Sequence, residues 1–68
     1  MDKRLNRIKV VLAEQGRTNK WLAQQIGKDP ATISKWCTNT AQPSLEMLFQ
    51  IAKVLNVEVK DLLRESDE

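Results

Sequence analysis

The sequence contains no histidine, no tyrosine and a single cysteine, Cys37, and these absences narrow the chemistry available to it. One cysteine cannot form a disulfide within the chain and is too few for a structural zinc site. No paired carboxylates stand out as a general acid and base. Because we expect Cys37 to be buried and there is no histidine to activate a hydroxyl, no set of groups suits nucleophilic catalysis, and we predict no enzymatic activity, no cofactor and no bound metal.

Long apolar runs are also missing. No stretch approaches the roughly 20 apolar residues that span a bilayer, and residues 1–4 lead into a mixed polar segment instead of the apolar part of a secretory signal. A chain of 68 residues has room for one domain. We therefore expect a single domain over residues 1–68 that is cytoplasmic and makes no membrane contact.

Charge is limited to a net +2, but it is unevenly placed along the chain. Residues 1–42 carry eight Lys and Arg side chains against three acidic ones, a net +5, whereas residues 43–68 carry three against six, a net −3. Such a distribution favours one surface that faces phosphates and another that is kept away from them. Many basic proteins bind no nucleic acid, so this pattern alone does not assign a function.

Glycine and proline are scarce, with two of each, and they coincide with predicted helix ends. Gly and Asn tolerate the left-handed backbone that closes a helix, and one of them follows each of four apolar segments: Gly16, Gly27, Asn39 and Asn56. Side chains that cap helix N-termini precede the next segments: Thr18, Asp29 and Ser44. Proline directly after Asp29 strengthens that start, because its fixed φ is already helical.

Apolar residues recur at helical spacing in five segments, which predicts an all-α fold. The predicted helices cover residues 2–15, 19–26, 30–38, 45–55 and 59–64. The inward side chains are predicted to be Leu5, Ile8, Leu12, Leu22, Ala23, Ile26, Ile33, Trp36, Cys37, Leu45, Leu48, Ile51, Ala52, Leu55, Leu62 and Leu63. Val57 and Val59 alternate like a strand, but over too short a stretch to pair with anything.

The most informative stretch is residues 19–38, where two short helices are joined by a tight turn. Ala23 is small enough for the second helix to pack closely over it, and Gly27 lies where the chain must turn left-handed. In such a pair the second helix protrudes enough to enter the DNA major groove, which is about 12 Å wide. This arrangement favours a role in DNA recognition.

Together with residues further along, this stretch resembles the helix-turn-helix domain of phage repressors and Cro proteins, the Cro/CI-type or XRE family. The matching residues are Leu22-Ala23, Ile26-Gly27 and those at 33–36, 43–46 and 51–57, and the resemblance covers residues 5–63. It implies a five-helix, lambda-repressor-like bundle in which the third helix reads DNA. The implied function is sequence-specific regulation of transcription, with repression as the expected direction.

Three positions depart from the family pattern. Cys37 stands where the family usually has Glu, which removes a charge that helps to tie the third helix to its surroundings. Asn39 stands where Gly is usual, a mild change because Asn also tolerates a left-handed backbone. Asn19 replaces the usual Gln with another amide that can donate to a phosphate.

The resemblance also implies DNA contacts on the outward side of the third helix. The base-facing residues are Pro30, Ala31 and Lys35, where Lys35 can donate to guanine and Ala31 can touch a thymine methyl. Short polar side chains suited to phosphate contact are Asn19, Thr32, Ser34, Thr38, Asn39 and Thr40. The alternatives are an ordinary solvated helix face, and caps and turns at the helix ends.

Two kinds of partner are expected. A single short recognition helix reads too few base pairs to select one genomic site, so we predict a homodimer on double-stranded DNA. Apolar side chains near the C-terminus supply the predicted interface: Val57, Val59, Leu62 and Leu63. The alternative is a protein-interaction module, such as the antitoxin of a toxin–antitoxin pair, with a partner chain of unknown identity.

Overall fold

In a computed structural model, which describes residues 5–63, the chain folds into four α-helices and one short 3₁₀ helix. The α-helices are α1 (Ile8–Glu14), α2 (Asn19–Ile26), α3 (Pro30–Cys37) and α4 (Leu45–Leu55), and the 3₁₀ helix spans Val59–Leu62. The predicted all-helical fold is confirmed, and α2 and α4 have the predicted bounds. None of the helices in residues 5–63 has the length and apolar character needed to cross a membrane.

A short fifth helix was predicted over residues 59–64, and the structure has a 3₁₀ helix over Val59–Leu62 there, so a count of five α-helices is not confirmed. This helix is a single 3₁₀ turn, closed by hydrogen bonds from Asp61 N to Glu58 O (2.9 Å) and from Glu58 N to Asp61 Oδ2 (3.1 Å). Leu63 then adopts an extended backbone and forms an isolated antiparallel bridge with Asn6, so the helix does not continue. Residue 64 lies outside the described part of the chain.

The first helix begins at Ile8, whereas the apolar spacing predicted a start at residue 2. Residues 2–4 lie outside the described range, and residues 5–7 are not helical. The backbone of residues 5–7 is hydrogen bonded to distant parts of the chain: Arg7 N donates to Leu62 O at 2.8 Å and Asn6 N donates to Asn39 Oδ1 at 3.0 Å. These long-range bonds compete with helix formation and delay the start of α1.

Most of the predicted signals at helix ends have the expected geometry. The backbone is left-handed at all four predicted positions: Gly16, Gly27, Asn39 and Asn56. Thr18 Oγ1 accepts a hydrogen bond from Trp21 N at 3.0 Å, and Ser44 Oγ accepts one from Met47 N at 3.1 Å. Asp29 occupies the N-cap of α3, but its side chain makes no capping bond, so the Pro30 that follows it carries more of the start signal.

One apolar core joins the helices. α2 packs against α3 and α4, while the 3₁₀ helix packs against α4 and α1. The buried apolar side chains are Ile8, Val11, Leu12, Leu22, Ala23, Ile33, Trp36, Cys37, Leu48, Ile51, Ala52, Leu55 and Leu62. Because α1 and α2 support α3 from within, its outer side is left facing solvent.

Three side chains predicted to point inward are exposed instead: Leu5 (61%), Leu45 (67%) and Leu63 (43%). Leu5 lies in the non-helical segment before α1, so the helical spacing that placed it inward does not apply. Leu45 is the first residue of α4, nearly two turns before the buried Ala52 on a similar face of the helix. Ile26, at the end of α2, is half-buried against the core.

Candidate nucleic-acid interface

The turn between α2 and α3 has the geometry that the sequence predicted. Gly27 closes α2 with φ 70° and ψ 35°, and Lys28 N then donates to Ala23 O at 2.9 Å. A Cβ at Gly27 would meet nothing within 4 Å, so glycine is favoured there by its backbone conformation and not by lack of space. Leu22 and Ala23 are buried together with Ile33 of α3, which fixes the two helices against each other.

The outer face of α3 brings the three predicted base-facing residues together. Pro30, Ala31 and Lys35 are all exposed, as is Ser34 between them. Their spacing of one, four and five residues places these side chains on one side of the helix. Ile33, Trp36 and Cys37 occupy the opposite side and are buried, so the orientation of the exposed face is set by the core.

A cation lies beside the start of α2, at a residue that the sequence reasoning did not single out. The Arg17 guanidinium sits 4.3 Å from the centroid of the Trp21 ring, and Trp21 is itself partly buried against the core. The ring face attracts the cation and limits its movement. Arg17 directly precedes the N-cap Thr18 and Trp21 lies in the first turn of α2, so the two side chains meet at the start of the helix.

The loop after α3 presents two neighbouring hydroxyl groups. Thr38 Oγ1 bonds to Thr40 Oγ1 at 2.8 Å and donates to Ser34 O at 3.1 Å. Thr40 N donates in turn to Lys35 O at 2.9 Å, so the loop and the last turn of α3 form one hydrogen-bonded unit. Both hydroxyls are at exposed residues, which places two of the predicted phosphate contacts side by side.

The other predicted phosphate contacts have different surroundings. Asn19 is half-buried, and its Oδ1 accepts a hydrogen bond from Cys37 Sγ at 3.4 Å. The amide nitrogen of Asn19 is therefore the atom that could donate to a phosphate. Thr32 is half-buried and Ser34 is exposed on α3. Asn39 points into the protein: its Oδ1 accepts from Leu5 N at 2.7 Å, from Asn6 N at 3.0 Å and from Gln42 Nε2 at 3.0 Å.

Asn6 and Gln42 are two further residues that sequence reasoning missed. Asn6 is the buried polar residue of the described chain, 6% exposed, and its Nδ2 donates to Trp36 O at 3.0 Å and to Gln42 Oε1 at 2.8 Å. Its Oδ1 accepts from Ile8 N at 3.1 Å. The bonds from Asn6 to Trp36 and Gln42 join residues 30 and 36 positions apart, and no local pattern signals such contacts.

Cys37 is a buried residue between α3 and α2. Burial raises the pKa of its thiol above the ordinary value of 9.0, and the positive charge of Lys9 offsets part of that rise. The thiol is therefore protonated at neutral pH and can donate to Asn19. Within residues 5–63 no three His, Cys, Asp or Glu side chains are grouped so that they could hold a metal ion.

The four residues predicted to form a dimer interface differ in exposure. Leu62 is fully buried, at 0%, and belongs to the core. Val57 and Val59 are half-buried and pack against that core, while Leu63 is exposed. Any contact with a second chain through this end would therefore use Leu63 and the exposed parts of the two valines.

A first helix packed on the core through Leu22 and Ala23, a left-handed turn at Gly27 and a second helix with one exposed face define a helix-turn-helix domain. The family model described as helix-turn-helix matches residues 8–62, and the chain belongs to this family, of the Cro/CI or XRE type. No curated protein sequence matches the chain. A crystal structure of a putative DNA-binding protein from Bacteroides fragilis is similar, with 60% identity, a TM-score of 0.87, and coverage of 88% of this chain and 97% of that one.

Proposed function

We propose that this chain binds double-stranded DNA in a sequence-specific manner and regulates transcription, with residues 30–38 in the major groove. The observation that carries the proposal is the exposed face of α3, held outward by the buried Ile33 and Trp36. A helix about 10–12 Å across fits a groove about 12 Å wide. Membership of the helix-turn-helix family supports DNA as the target, as does the similar Bacteroides fragilis protein.

The proposed base contacts come from the exposed face of α3. Lys35 is the one long donor on this face and would reach guanine O6 or N7, while Ala31 and Pro30 are small apolar groups suited to a thymine methyl. Because the face has few donors, the fit of these side chains to the shape of the groove adds to the readout. Repression is the direction that the family resemblance implies.

The proposed phosphate contacts flank this face. Thr38 and Thr40 offer neighbouring hydroxyls at the end of α3, and Asn19 offers its amide nitrogen at the start of α2. Ser34 and Thr32 complete the set on α3 itself. Asn39 was predicted with them, but its amide is engaged within the protein, and we assign it a supporting role that is argued below.

We further propose that two copies bind together on DNA through the end that carries Val57, Val59 and Leu63. Apolar surface remains there, since Leu63 is 43% exposed, and a symmetric pair doubles the number of bases that are read. Leu62 supports this surface from the core. A regulator of this kind acts where chromosomal or phage DNA is present, so we expect it in the cytoplasm.

A second candidate, a protein-interaction module such as an antitoxin, draws on a different surface. Leu45 and Phe49 lie one turn apart on α4 and are 67% and 59% exposed. Apolar side chains grouped in this way on a helix are typical of contacts between proteins. Both functions can reside in one chain, and binding of DNA by the isolated chain would establish DNA as a direct target.

The test is enrichment of duplexes from a random library by the purified full chain, followed by affinity measurements between 50 and 200 mM salt. We expect an approximately palindromic site with half-site centres about 10 base pairs apart. The affinity should fall steeply with salt, because basic side chains displace counterions from phosphates. Failure to enrich any duplex, or an affinity that does not change with salt, would contradict the proposal.

A further inference from the structure

Three amide side chains form a hydrogen-bonded group at the end of α3, which we call the amide cluster: Asn6, Asn39 and Gln42. Asn6 Nδ2 donates to Gln42 Oε1 at 2.8 Å, and Gln42 Nε2 donates to Asn39 Oδ1 at 3.0 Å. Asn39 Nδ2 completes the group by donating to Asn6 O at 3.3 Å. No buried side-chain nitrogen or oxygen in residues 5–63 lacks a hydrogen-bond partner, and the buried amide of Asn6 is satisfied in this way.

On the side away from the loop after α3, the segment that carries Asn6 is attached to the 3₁₀ helix and to Leu63. Arg7 N donates to Leu62 O at 2.8 Å, and Arg7 Nη1 donates to Asp61 O at 3.1 Å. Asn6 itself pairs with Leu63 in the antiparallel bridge, and Leu62 is fully buried. Asn6 is therefore held in place by the core and can act as a fixed point for the residues bonded to it.

On its near side the cluster holds the loop that carries the two threonine hydroxyls. Asn39 lies between Thr38 and Thr40 in the chain, and its Oδ1 accepts hydrogen bonds from the backbone of Leu5 and Asn6. Asn6 Nδ2 also donates to Trp36 O, a carbonyl of the last turn of α3. Since Thr38 and Thr40 are also hydrogen bonded to the last turn of α3, any movement of Asn39 relative to Asn6 would move both hydroxyls relative to the core.

The left-handed backbone at Asn39 does not by itself explain why an asparagine occupies this position. Its φ of 61° is a conformation that glycine adopts at no steric cost, so the turn itself does not require asparagine. What glycine cannot supply is the Oδ1 acceptor, which receives three hydrogen bonds. The asparagine side chain therefore adds a connection to the turn that the backbone conformation does not explain.

We propose that the amide cluster positions Thr38 and Thr40 for contact with DNA phosphates, and that Asn6, Asn39 and Gln42 are positioning residues that do not touch the DNA. The proposal rests on the DNA-binding function proposed above. A loop held in one conformation before binding loses less entropy on binding than a mobile one, so the cluster raises affinity without a contact of its own.

The test uses Asn39→Gly, which keeps the left-handed turn and removes only the amide, and Gln42→Ala, which removes an exposed member of the cluster. Gln50→Ala on α4 is the matched control, because Gln50 is an exposed amide outside the cluster. The probe is the duplex enriched from the random library, measured at a temperature where thermal unfolding curves place every variant fully in its folded state. We expect Asn39→Gly and Gln42→Ala to bind about 3- to 10-fold more weakly, the size of one or two hydrogen bonds, and Gln50→Ala to bind like the original chain.

A double-mutant cycle with Thr40→Val distinguishes positioning from stability. If the cluster acts through the loop hydroxyls, Asn39→Gly should cost much less affinity when Thr40 is already Val than when it is Thr. A lowered melting temperature with unchanged affinity of the folded protein would overturn the proposal and leave a purely structural cluster. Equal costs of Asn39→Gly in both backgrounds would overturn it as well.

The same measurements separate this proposal from the proposed function. If the original chain binds no duplex, DNA binding itself is wrong and the positioning role falls with it. If the original chain binds and the two cluster variants bind equally well, only the positioning role is wrong.

Discussion

The helix-turn-helix of residues 19–38 and the junction around Asn6 are held together by different forces. In the first region the helices meet through buried apolar side chains, with Ile33 fully buried and Trp36 nearly so. In the second region residues 5–7 meet the loop after α3 and the 3₁₀ helix through hydrogen bonds to backbone and amide groups. Apolar packing determines whether α3 is formed at all, whereas the junction determines how its end is placed.

The largest expected effect follows from removing apolar packing in the first region. Ile33→Ala should lower the free energy of unfolding by about 2–5 kcal/mol, because it deletes buried carbon atoms and leaves a cavity. Ser34→Ala, its exposed neighbour on α3, should stay within about 0.5 kcal/mol of the original chain. Urea unfolding followed by circular dichroism measures both. A cost below about 1 kcal/mol for Ile33→Ala would contradict the placement of Ile33 in the core.

A smaller effect is expected at the junction. Asn6→Ala leaves Trp36 O and Ile8 N without their side-chain partner, which should lower the free energy of unfolding by about 1–3 kcal/mol. Gln24→Ala, an exposed amide on α2, is the control and should change stability little. If Asn6→Ala proved as stable as the control in the same urea experiment, the hydrogen bonds at the junction would not hold the segment.

The junction also lies next to the surface proposed to contact the second copy, and a substitution at Leu63 tests that interface. Leu63→Glu should weaken paired occupancy of a two-half-site duplex at least about fivefold, since it places a charge where an apolar side chain is expected to be covered. Leu45→Glu makes the same change at another exposed leucine, on α4 and away from the proposed interface, and should leave pairing unaffected. Analytical ultracentrifugation of the protein–DNA complex measures how many chains occupy each duplex, and circular dichroism checks that both variants are folded. Equal occupancy by the two variants would contradict the proposed interface.

The smallest effect is expected at Cys37, within the helix-turn-helix. Because the pKa of its thiol is raised in the folded protein, Cys37 favours the folded state below pH 9.0, and this contribution is lost as the pH rises through the folded-state pKa. Cys37→Ala should therefore flatten the fall in stability above pH 9.0 and leave DNA binding near that of the original chain. Loss of binding on mild oxidation that Cys37→Ala prevents would contradict the buried, unreactive thiol.

The two regions also differ in how far the sequence predicts them. The bounds of α2 and α4 follow from local signals, since Thr18 and Gly27 frame one helix and Ser44 and Asn56 the other. The exposed face of α3 follows from helical spacing in the same way. The start of α1 was predicted six residues too early, because the hydrogen bonds that hold residues 5–7 outside the helix come from Asn39 and Leu62, far along the chain.

Within the candidate site, too, some residues follow from local spacing and others depend on tertiary contacts. Pro30, Ala31 and Lys35 lie together on the exposed face of α3, as spacing predicted, and their contact with DNA stays a prediction. The role of Asn39 could not be read from the sequence, since an asparagine at a helix end is explained equally well by its left-handed backbone. Its hydrogen bonds to Asn6 depend on tertiary structure, and so does the difference between the buried Leu62 and the exposed Leu63.

The most direct test of DNA reading by α3 compares Lys35→Ala with Lys53→Ala, a loss of the same charge from the exposed surface of α4. Affinities are measured for the enriched duplex and for a random-sequence duplex of equal length at one salt concentration. Lys35→Ala should lose about 1–3 kcal/mol on the enriched duplex and much less on the random one, while Lys53→Ala should affect neither strongly. Equal losses on both duplexes for Lys35→Ala would contradict the account, because Lys35 would then not read a base.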